Sequence, residues 1–178
     1  IMNYEMSNNF NYEMNKLTII TIVLIFLVVL FTFKSLIIPF ILVLLIQCAV
    51  YILMGVINIL DMKVYYLSLL IVQSILMGAT IDYAILFTNY YRELRKENSI
   101  RISLKETYNK SIHTIFTSSL IMIIITGVLG FVFKDPAIGE ICHIIAIGVT
   151  IAVLLILFVL PSIIVLFDKK IVKNKFKS

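Results

Sequence analysis

Long apolar runs, separated by short polar breaks, form the main pattern of the chain. Five such runs occur, the third containing one acid, at 17–33, 35–60, 64–91, 111–133 and 141–167. Each is long enough to cross a bilayer as a helix, which takes roughly 17–25 residues. Because lipid cannot hydrogen-bond to free backbone groups, a spanning run must be helical. The pattern therefore predicts an all-α membrane protein, a bundle of five transmembrane helices.

The polar breaks between these runs set the expected boundaries. We expect one transmembrane domain over 17–167, with helices at about 17–33, 35–59, 64–91, 111–133 and 139–167. The polar residues 1–16 predict an extracytoplasmic connector, and residues 168–178 predict a basic cytoplasmic tail.

The longest polar break, the loop 92–110, has a helical pattern of its own. Ile100, Leu104 and Tyr108 recur at every fourth position with charges between them. This spacing is typical of an amphipathic helix on the inner membrane surface. A solvated helix that connects the third and fourth spans fits the same pattern.

Composition agrees with a membrane protein. The 178 residues are 61% hydrophobic and 14% charged, with a mean hydropathy of +1.08, whereas soluble domains have about 25% charged residues. The net charge of +5 suits contact with the anionic headgroups of membrane lipids. The chain lacks the alternation of aromatic and basic residues that would suggest binding to nucleic acid.

The basic residues lie mainly on one side of the predicted bundle. Lys34, the loop 92–110 and the residues after 167 contain 12 of the 15 lysines and arginines. The positive-inside rule places this side in the cytoplasm and the N-terminus outside. Since an outside N-terminus without its own signal peptide needs a preceding segment, we expect the C-terminal part of a longer polypeptide or a split subunit.

Asp82 is the candidate with the clearest chemistry. It is the only charged residue in 64–91 and lies ten residues before Arg92, about 15 Å along a helix and so near the bilayer midplane. A carboxylate there costs about 2.5–3.5 kcal/mol and is a functional site by default. We interpret Asp82 as a proton or ion site; the alternative is a buried structural hydrogen bond.

The neighbours of Asp82 include small and polar residues that could complete such a site. Gly78, one turn before it, would let another helix approach closely. Thr80 and Tyr83 flank it in sequence, and Asn89 follows two turns later on the same face. In the fourth span, Thr117 and Ser118 could line a water path beside Asp82, although such hydroxyls often bond only to their own helix.

Motifs for soluble enzymes and cofactors are absent. The chain has no phosphate-binding loop, dinucleotide fingerprint, zinc-protease motif or nucleophile elbow. We therefore predict that it is not an enzyme and carries no cofactor. His113 and His143 lie near opposite ends of their helices, which argues against a metal site. Without an ATP site, transport would have to use an ion gradient.

Three segments resemble the MMPL (mycobacterial membrane protein Large) branch of the RND permease superfamily. They read GATIDYAILFTNYYRELRKENS, KETYNKSIHTIFTSSLIMIIITGVLGFVF and KDPAIGEICHIIAIGVTIAVLLILFVLPSIIVLF. The similarity extends over about 16–168. Its most specific parts are Gly78-x-x-x-Asp82-Tyr83, the segment Tyr91-Arg92-Glu93 at the end of the third span (the Tyr91-Arg92-Glu93 exit) and the segment LPSIIVLFD at the end of the fifth span (the LPSIIVLFD ending). The five helices resemble the last five of a six-helix RND half.

The resemblance implies a proton-driven exporter in the plasma membrane of a bacterium. In that family the Asp-Tyr pair on this helix belongs to the proton relay, which implicates Asp82 and Tyr83. The resemblance also implies lipid-like or hydrophobic substrates. A partner is implied as well, either a missing N-terminal half of the permease or a second copy, whose own Asp-Tyr helix would complete the relay.

Two other functions suit a bundle of this kind. One is a non-transporting sensor or scaffold of the sterol-sensing type, which has no use for an acid at the midplane. The other is a protein-export accessory similar to SecD/SecF, although the Asp82-Tyr83 pair and the Tyr91-Arg92-Glu93 exit favour MMPL.

Overall fold

A computed structural model describes residues 2–60, 64, 66–133, 135–168 and 171. Within these residues the chain forms five helices and no strand, and each helix is long and apolar enough to cross a membrane. They are α1 (Met2–Phe33), α2 (Ile37–Ile59), α3 (Tyr66–Leu94), α4 (Ile100–Val132) and α5 (Pro136–Leu166). The prediction of an all-α bundle with five spans is confirmed.

The core of the bundle lies between α2, α3 and α5. In these three helices 39–44% of the most apolar stretch is buried, against 11% in α1 and α4. At the centre, Gly148 of α5 allows the closest approach: a Cβ atom there would lie 3.0 Å from Leu53 of α2 and 3.1 Å from Leu76 of α3. Two helices lie at the periphery, so most of their side chains are available to lipid or to other helices.

Short turns connect the helices at the two ends of the bundle. Lys34, with φ at 50°, turns the chain after α1, and its N–H donates to the Leu30 carbonyl at 2.8 Å. Asp135 begins α5 by accepting a hydrogen bond from the Ala137 N–H at 3.0 Å, as expected of an N-cap aspartate. We name the ends the Lys34 end and the Asp135 end. Which end faces the cytoplasm stays a prediction from the charge distribution.

Two segments that were predicted to lie outside the spans are continuous with the helices of the bundle. The connector 1–16 is helical from residue 2 and forms the first half of α1. The loop 92–110 is divided between the end of α3, a turn at 95–99 and the first turns of α4, which then runs on to Val132. The predicted surface helix is thus the beginning of a transmembrane helix. Sequence periodicity could not show this, because the charged turns of α4 resemble a separate amphipathic segment.

The buried face of those first turns is also different from the predicted one. Ser103, Thr107 and Ser111 are completely buried, while Ile100 remains 37% exposed. Thr107 donates to the Ser103 carbonyl and Ser111 to the Thr107 carbonyl, each at 2.7 Å. Thr107 and Ser111 can be buried because their hydroxyls bond to their own helix, whereas the buried Ser103 hydroxyl has no hydrogen-bond partner among the described residues.

The predicted tail 168–178 lies mostly outside the described residues. Of its members, Asp168 and Ile171 are described, and both are buried, with 5% and 1% of their surface exposed. The bundle therefore continues past 167, and Asp168 belongs to its packed interior rather than to a solvated tail.

Candidate functional site

Asp82 lies on a face of α3 that the other described residues leave open. The exposed positions of α3 between residues 68 and 94 follow a helical spacing and form what we call the exposed stripe: Ile71, Ser74, Ile75, Gly78, Asp82, Asn89 and Glu93. Asp82 is near the middle of the span Ser68–Leu94. It forms no hydrogen bond or ion pair with any residue that the structure describes.

Gly78 is open on the same face. A Cβ atom added to it would have no neighbour within 4 Å, in contrast to Gly148 in the core. One turn from Asp82, the backbone of α3 is thus accessible to another helix, which is the arrangement that small residues allow in membranes.

Tyr83 and Thr80, the two polar sequence neighbours of Asp82, occupy different environments. Tyr83 is half-buried at the edge of the exposed stripe. Thr80 is 1% exposed, and its hydroxyl donates to the Leu76 carbonyl of its own helix at 2.7 Å. The structure thus places Thr80 in the core and does not bring its hydroxyl to the face that carries Asp82.

Thr117 and Ser118 are exposed on the neighbouring helix α4. The rings of Phe87 in α3 and Tyr108 in α4 lie 5.4 Å apart, which puts these two residues at one level of the bundle. Because α3 and α4 are antiparallel, equal numbers of residues counted backward from Phe87 and forward from Tyr108 reach the same level of the bundle. Thr117 in α4 is therefore level with Gly78 in α3. The two polar positions are therefore about one helical turn beyond Asp82, toward the Asp135 end.

The exposed stripe ends in a polar cavity at the Lys34 end. Asn89, Arg92, Glu93 and Lys96 line a space of ≈ 440 Å³. Asn89 belongs to both the stripe and the cavity, and it lies seven residues from Asp82, about 10 Å along the helix. The stripe thus connects a mid-span carboxylate with a polar opening at one end of the bundle.

Sequence reasoning missed a second carboxylate site, at the end of α5. Asp168 is held by Tyr91 of α3 and by Arg95, which follows directly after α3, a group we call the Asp168 cluster. The Tyr91 hydroxyl donates to Oδ1 of Asp168 at 2.6 Å, and Arg95 donates to both carboxylate oxygens at 3.1 Å. The hydrogen bond to Asp168 is the main cause that raises the pKa of the Arg95 guanidinium above its usual value.

The Asp168 cluster is a paired and saturated site. A bidentate arginine–carboxylate pair has strong, directional hydrogen bonds, and Arg95 also donates to the Asn98 carbonyl at 2.8 Å in the turn after α3. The available signal was the single acid that follows the last apolar run and precedes a series of lysines. In the sequence this acid looks like the start of the basic tail, because lysines follow it directly.

Arg92 binds the end of α1. It donates to the Phe33 carbonyl at 3.2 Å, and its guanidinium lies 5.4 Å from the centre of the Phe33 ring. The last carbonyls of a helix have no partners within the helix and attract cations. Tyr91 therefore connects α3 to the end of α5, and Arg92 connects α3 to α1.

A comparison with protein families covers nearly the whole chain. The model of the MMPL family matches residues 1–177. The chain belongs to the MMPL family. Membership indicates a membrane transporter of the RND type, a multi-pass protein whose family is usually located in the bacterial plasma membrane. A search of the curated proteins finds no match.

In this MMPL protein the recognised motifs have separate structural roles. Gly78 and Asp82 lie on the exposed stripe. Tyr91 and Arg92 hold α3 against its neighbours, and the aspartate that closes the LPSIIVLFD ending is Asp168 itself. The motif at the end of α3, which contains Tyr91, therefore contacts the motif at the end of α5, which contains Asp168.

The histidines of the MMPL chain do not meet. His143 shares a hydrogen bond with the Gly139 carbonyl at 2.8 Å and packs its ring against Phe131. Gly130 makes room for this ring, since a Cβ atom there would lie 2.5 Å from the imidazole. His113 is exposed on α4. Among the described residues no group of three potential ligands could hold a metal ion.

Proposed function

We propose that this protein uses the proton-motive force to export lipid-like or hydrophobic substrates, with Asp82 as the residue that binds and releases the proton. The observation that carries the proposal is an ionisable side chain in the middle of the span Ser68–Leu94, on the exposed stripe of α3. A carboxylate facing hydrocarbon there costs about 2.5–3.5 kcal/mol, so this face needs a polar cover.

The cover that fits is a second helix with polar groups of its own. Gly78 leaves space for a close approach, and Tyr83 at the edge of the stripe can donate a hydrogen bond to a group on that helix. A second half of the permease, or a second copy of the chain, would supply it. The relay then has two sides, with Asp82 and Tyr83 on one of them.

The remaining candidates support the site from a distance. Asn89 leads from Asp82 toward the polar cavity at the Lys34 end, which offers water a way to the carboxylate. Thr117 and Ser118 add hydroxyls one turn beyond it. Thr80 is left out of the proposed site because its hydroxyl is engaged within the core.

A proton gradient can drive this cycle without ATP. Moving one charge through the membrane potential releases about 2.3 kcal/mol per 100 mV. Protonation of Asp82 removes its charge, and a neutral and a charged carboxyl group favour different packing of the covering helix. Each proton that crosses would thus change the arrangement at the stripe, which is the mechanical step that export needs.

The test is proton-coupled transport by the full-length protein in proteoliposomes. We expect Asp82→Asn to abolish both substrate movement and the accompanying proton flux, because an amide cannot exchange a proton. Asp82→Glu, which keeps a carboxyl group, should retain part of the activity. The matched control is Glu97→Gln in the exposed turn after α3, which should transport normally.

Normal coupled transport by the Asp82→Asn protein would sink the proposal. A sensor or scaffold predicts a different outcome, in which the wild-type protein itself shows no proton-coupled transport. Unchanged amounts of inserted, monodisperse protein are needed for all variants, so that a loss of transport is not a loss of folding.

A further inference from the structure

Pro161 leaves one carbonyl of α5 without its usual partner. The residue lies inside the helix Pro136–Leu166 and is buried. A proline has no N–H, so the carbonyl four residues earlier, that of Leu157, loses its intrahelical hydrogen bond. A free carbonyl in the apolar interior of a membrane protein is costly, and such groups are usually satisfied by a neighbouring helix.

Tyr108 of α4 satisfies this carbonyl. Its hydroxyl donates to the Leu157 carbonyl oxygen, so the hydroxyl of one helix takes the place of the N–H that Pro161 lacks in another. In the sequence, Tyr108 lies in the predicted amphipathic segment and Pro161 near the end of the fifth apolar run. Their relation is visible only in three dimensions.

The ring of Tyr108 is also in contact with the helix that carries Asp82. Phe87 of α3, which is completely buried, packs against Tyr108 edge to face at 5.4 Å and an interplanar angle of 79°. Phe87 lies five residues after Asp82, about 7.5 Å along α3. A displacement of this part of α3 would therefore press directly on the tyrosine.

The segment of α5 after Pro161 is fastened to α3 as well. Asp168 receives hydrogen bonds from Tyr91 and Arg95. As a result α3 is connected to α5 on both sides of the proline, through Tyr108 before it and through Asp168 after it. Helices usually bend at prolines. One connection to α3 therefore lies before the bend point of α5 and the other lies after it. We call the bend point at Pro161 the joint.

We propose that Tyr108 is a positioning residue for transport: it holds the proline break of α5 closed and makes its opening depend on the movement of α3. When α3 shifts, Phe87 displaces the Tyr108 ring, the Leu157 carbonyl is released, and the end segment of α5 turns about Pro161 together with α3. This inference rests on the proposed function, because it assumes that Asp82 moves α3.

A double-mutant cycle on the full-length protein tests it. Tyr108→Phe removes only the hydroxyl, and Pro161→Ala restores an N–H to bond with Leu157. We expect Tyr108→Phe to lower the thermal unfolding temperature and to reduce substrate turnover about fivefold, the effect of one hydrogen bond. In the Pro161→Ala background the same change should have no effect on unfolding. Tyr51→Phe, at a tyrosine that is 68% exposed, is the matched control.

The transport readout separates positioning from mere stability. Pro161→Ala should raise the unfolding temperature or leave it unchanged, yet reduce turnover while the substrate concentration for half-maximal rate stays constant. Pro161→Ser, which also restores an N–H, should behave in the same way and replaces the alanine variant if that one fails to insert.

Two results would overturn the inference. An equal loss of stability from Tyr108→Phe in both backgrounds would show that the hydroxyl does not serve the proline carbonyl. Wild-type turnover by both Tyr108→Phe and Pro161→Ala would show that the joint does not limit transport. The unfolding cycle is independent of Asp82, whereas the Asp82→Asn experiment is independent of the joint, so the failure of either proposal is recognisable by itself.

Discussion

Two carboxylates of the same bundle, Asp82 and Asp168, have opposite surroundings. Asp168 is buried and receives hydrogen bonds from Tyr91 and Arg95, both supplied by this chain. Asp82 lies in the middle of a span, exposed, with no partner among the described residues. A carboxylate with all its partners in place holds helices together. A carboxylate whose partners are supplied by another helix can exchange one partner for another, and it can gain or lose a proton when it does so.

The largest effect on stability should come from the paired site. Asp168→Ala leaves Arg95 and Tyr91 without their acceptor, and we expect a loss of about 1.5–3 kcal/mol, the range for hydrogen bonds to charged groups. Chemical or thermal unfolding of the purified protein measures it. Asp82→Ala should leave stability unchanged or raise it, because it removes a charge without partners. A larger loss from Asp82→Ala than from Asp168→Ala would reverse the comparison.

The two glycines Gly148 and Gly78 extend the same comparison to packing. Gly148→Ala places a methyl group 3.0 Å from Leu53 and should destabilise the bundle by about 1–3 kcal/mol, as overpacking does. Gly78→Ala meets no neighbouring atom among the described residues and should not change the unfolding of the bundle. If the exposed stripe is covered by another helix, however, Gly78→Ala should weaken that association and slow transport. Identical effects of the two changes would contradict the assignment of the two faces.

A smaller effect is expected within the Asp168 cluster. Tyr91→Phe removes one of the hydrogen bonds to Asp168 and keeps the bidentate contact with Arg95, so the expected loss is about 1 kcal/mol. The measurement is the same unfolding assay, with Tyr90→Phe on the adjacent, half-buried tyrosine as the control. A loss as large as that of Asp168→Ala would mean that Tyr91, rather than Arg95, is the main partner of the carboxylate.

The sequence predicted the number and kind of the helices because apolar length is a direct consequence of the bilayer. It also indicated Asp82 as a candidate site, because a charged residue inside an apolar run is costly whichever way the helix faces. It did not show which face of α3 would stay open, because that depends on how α2, α4 and α5 pack around it. Thr80 illustrates the limit: two residues from Asp82 in sequence, it is turned into the core.

The contacts at the Lys34 end were beyond the reach of the sequence for a different reason. Tyr91 and Asp168 are 77 residues apart, and Tyr108 and Leu157 are 49 apart. Neither pair follows from a local spacing. In hindsight the Leu157 carbonyl could have been identified as needing a donor from the position of Pro161, but the donor itself is fixed by the tertiary packing of α4 on α5.

The most direct test of the central claim is to observe the protonation of Asp82 in the full-length protein. Infrared difference spectra recorded between neutral and acidic pH should contain a carbonyl band of a protonated carboxylic acid. The chain has ten acidic residues, so this band has several components. We predict that Asp82→Asn removes one component, whereas Asp168→Asn leaves that component in place. A spectrum that is unchanged in the Asp82→Asn protein and loses a component in the Asp168→Asn protein would show that the proton is exchanged at the paired carboxylate, and would contradict the account.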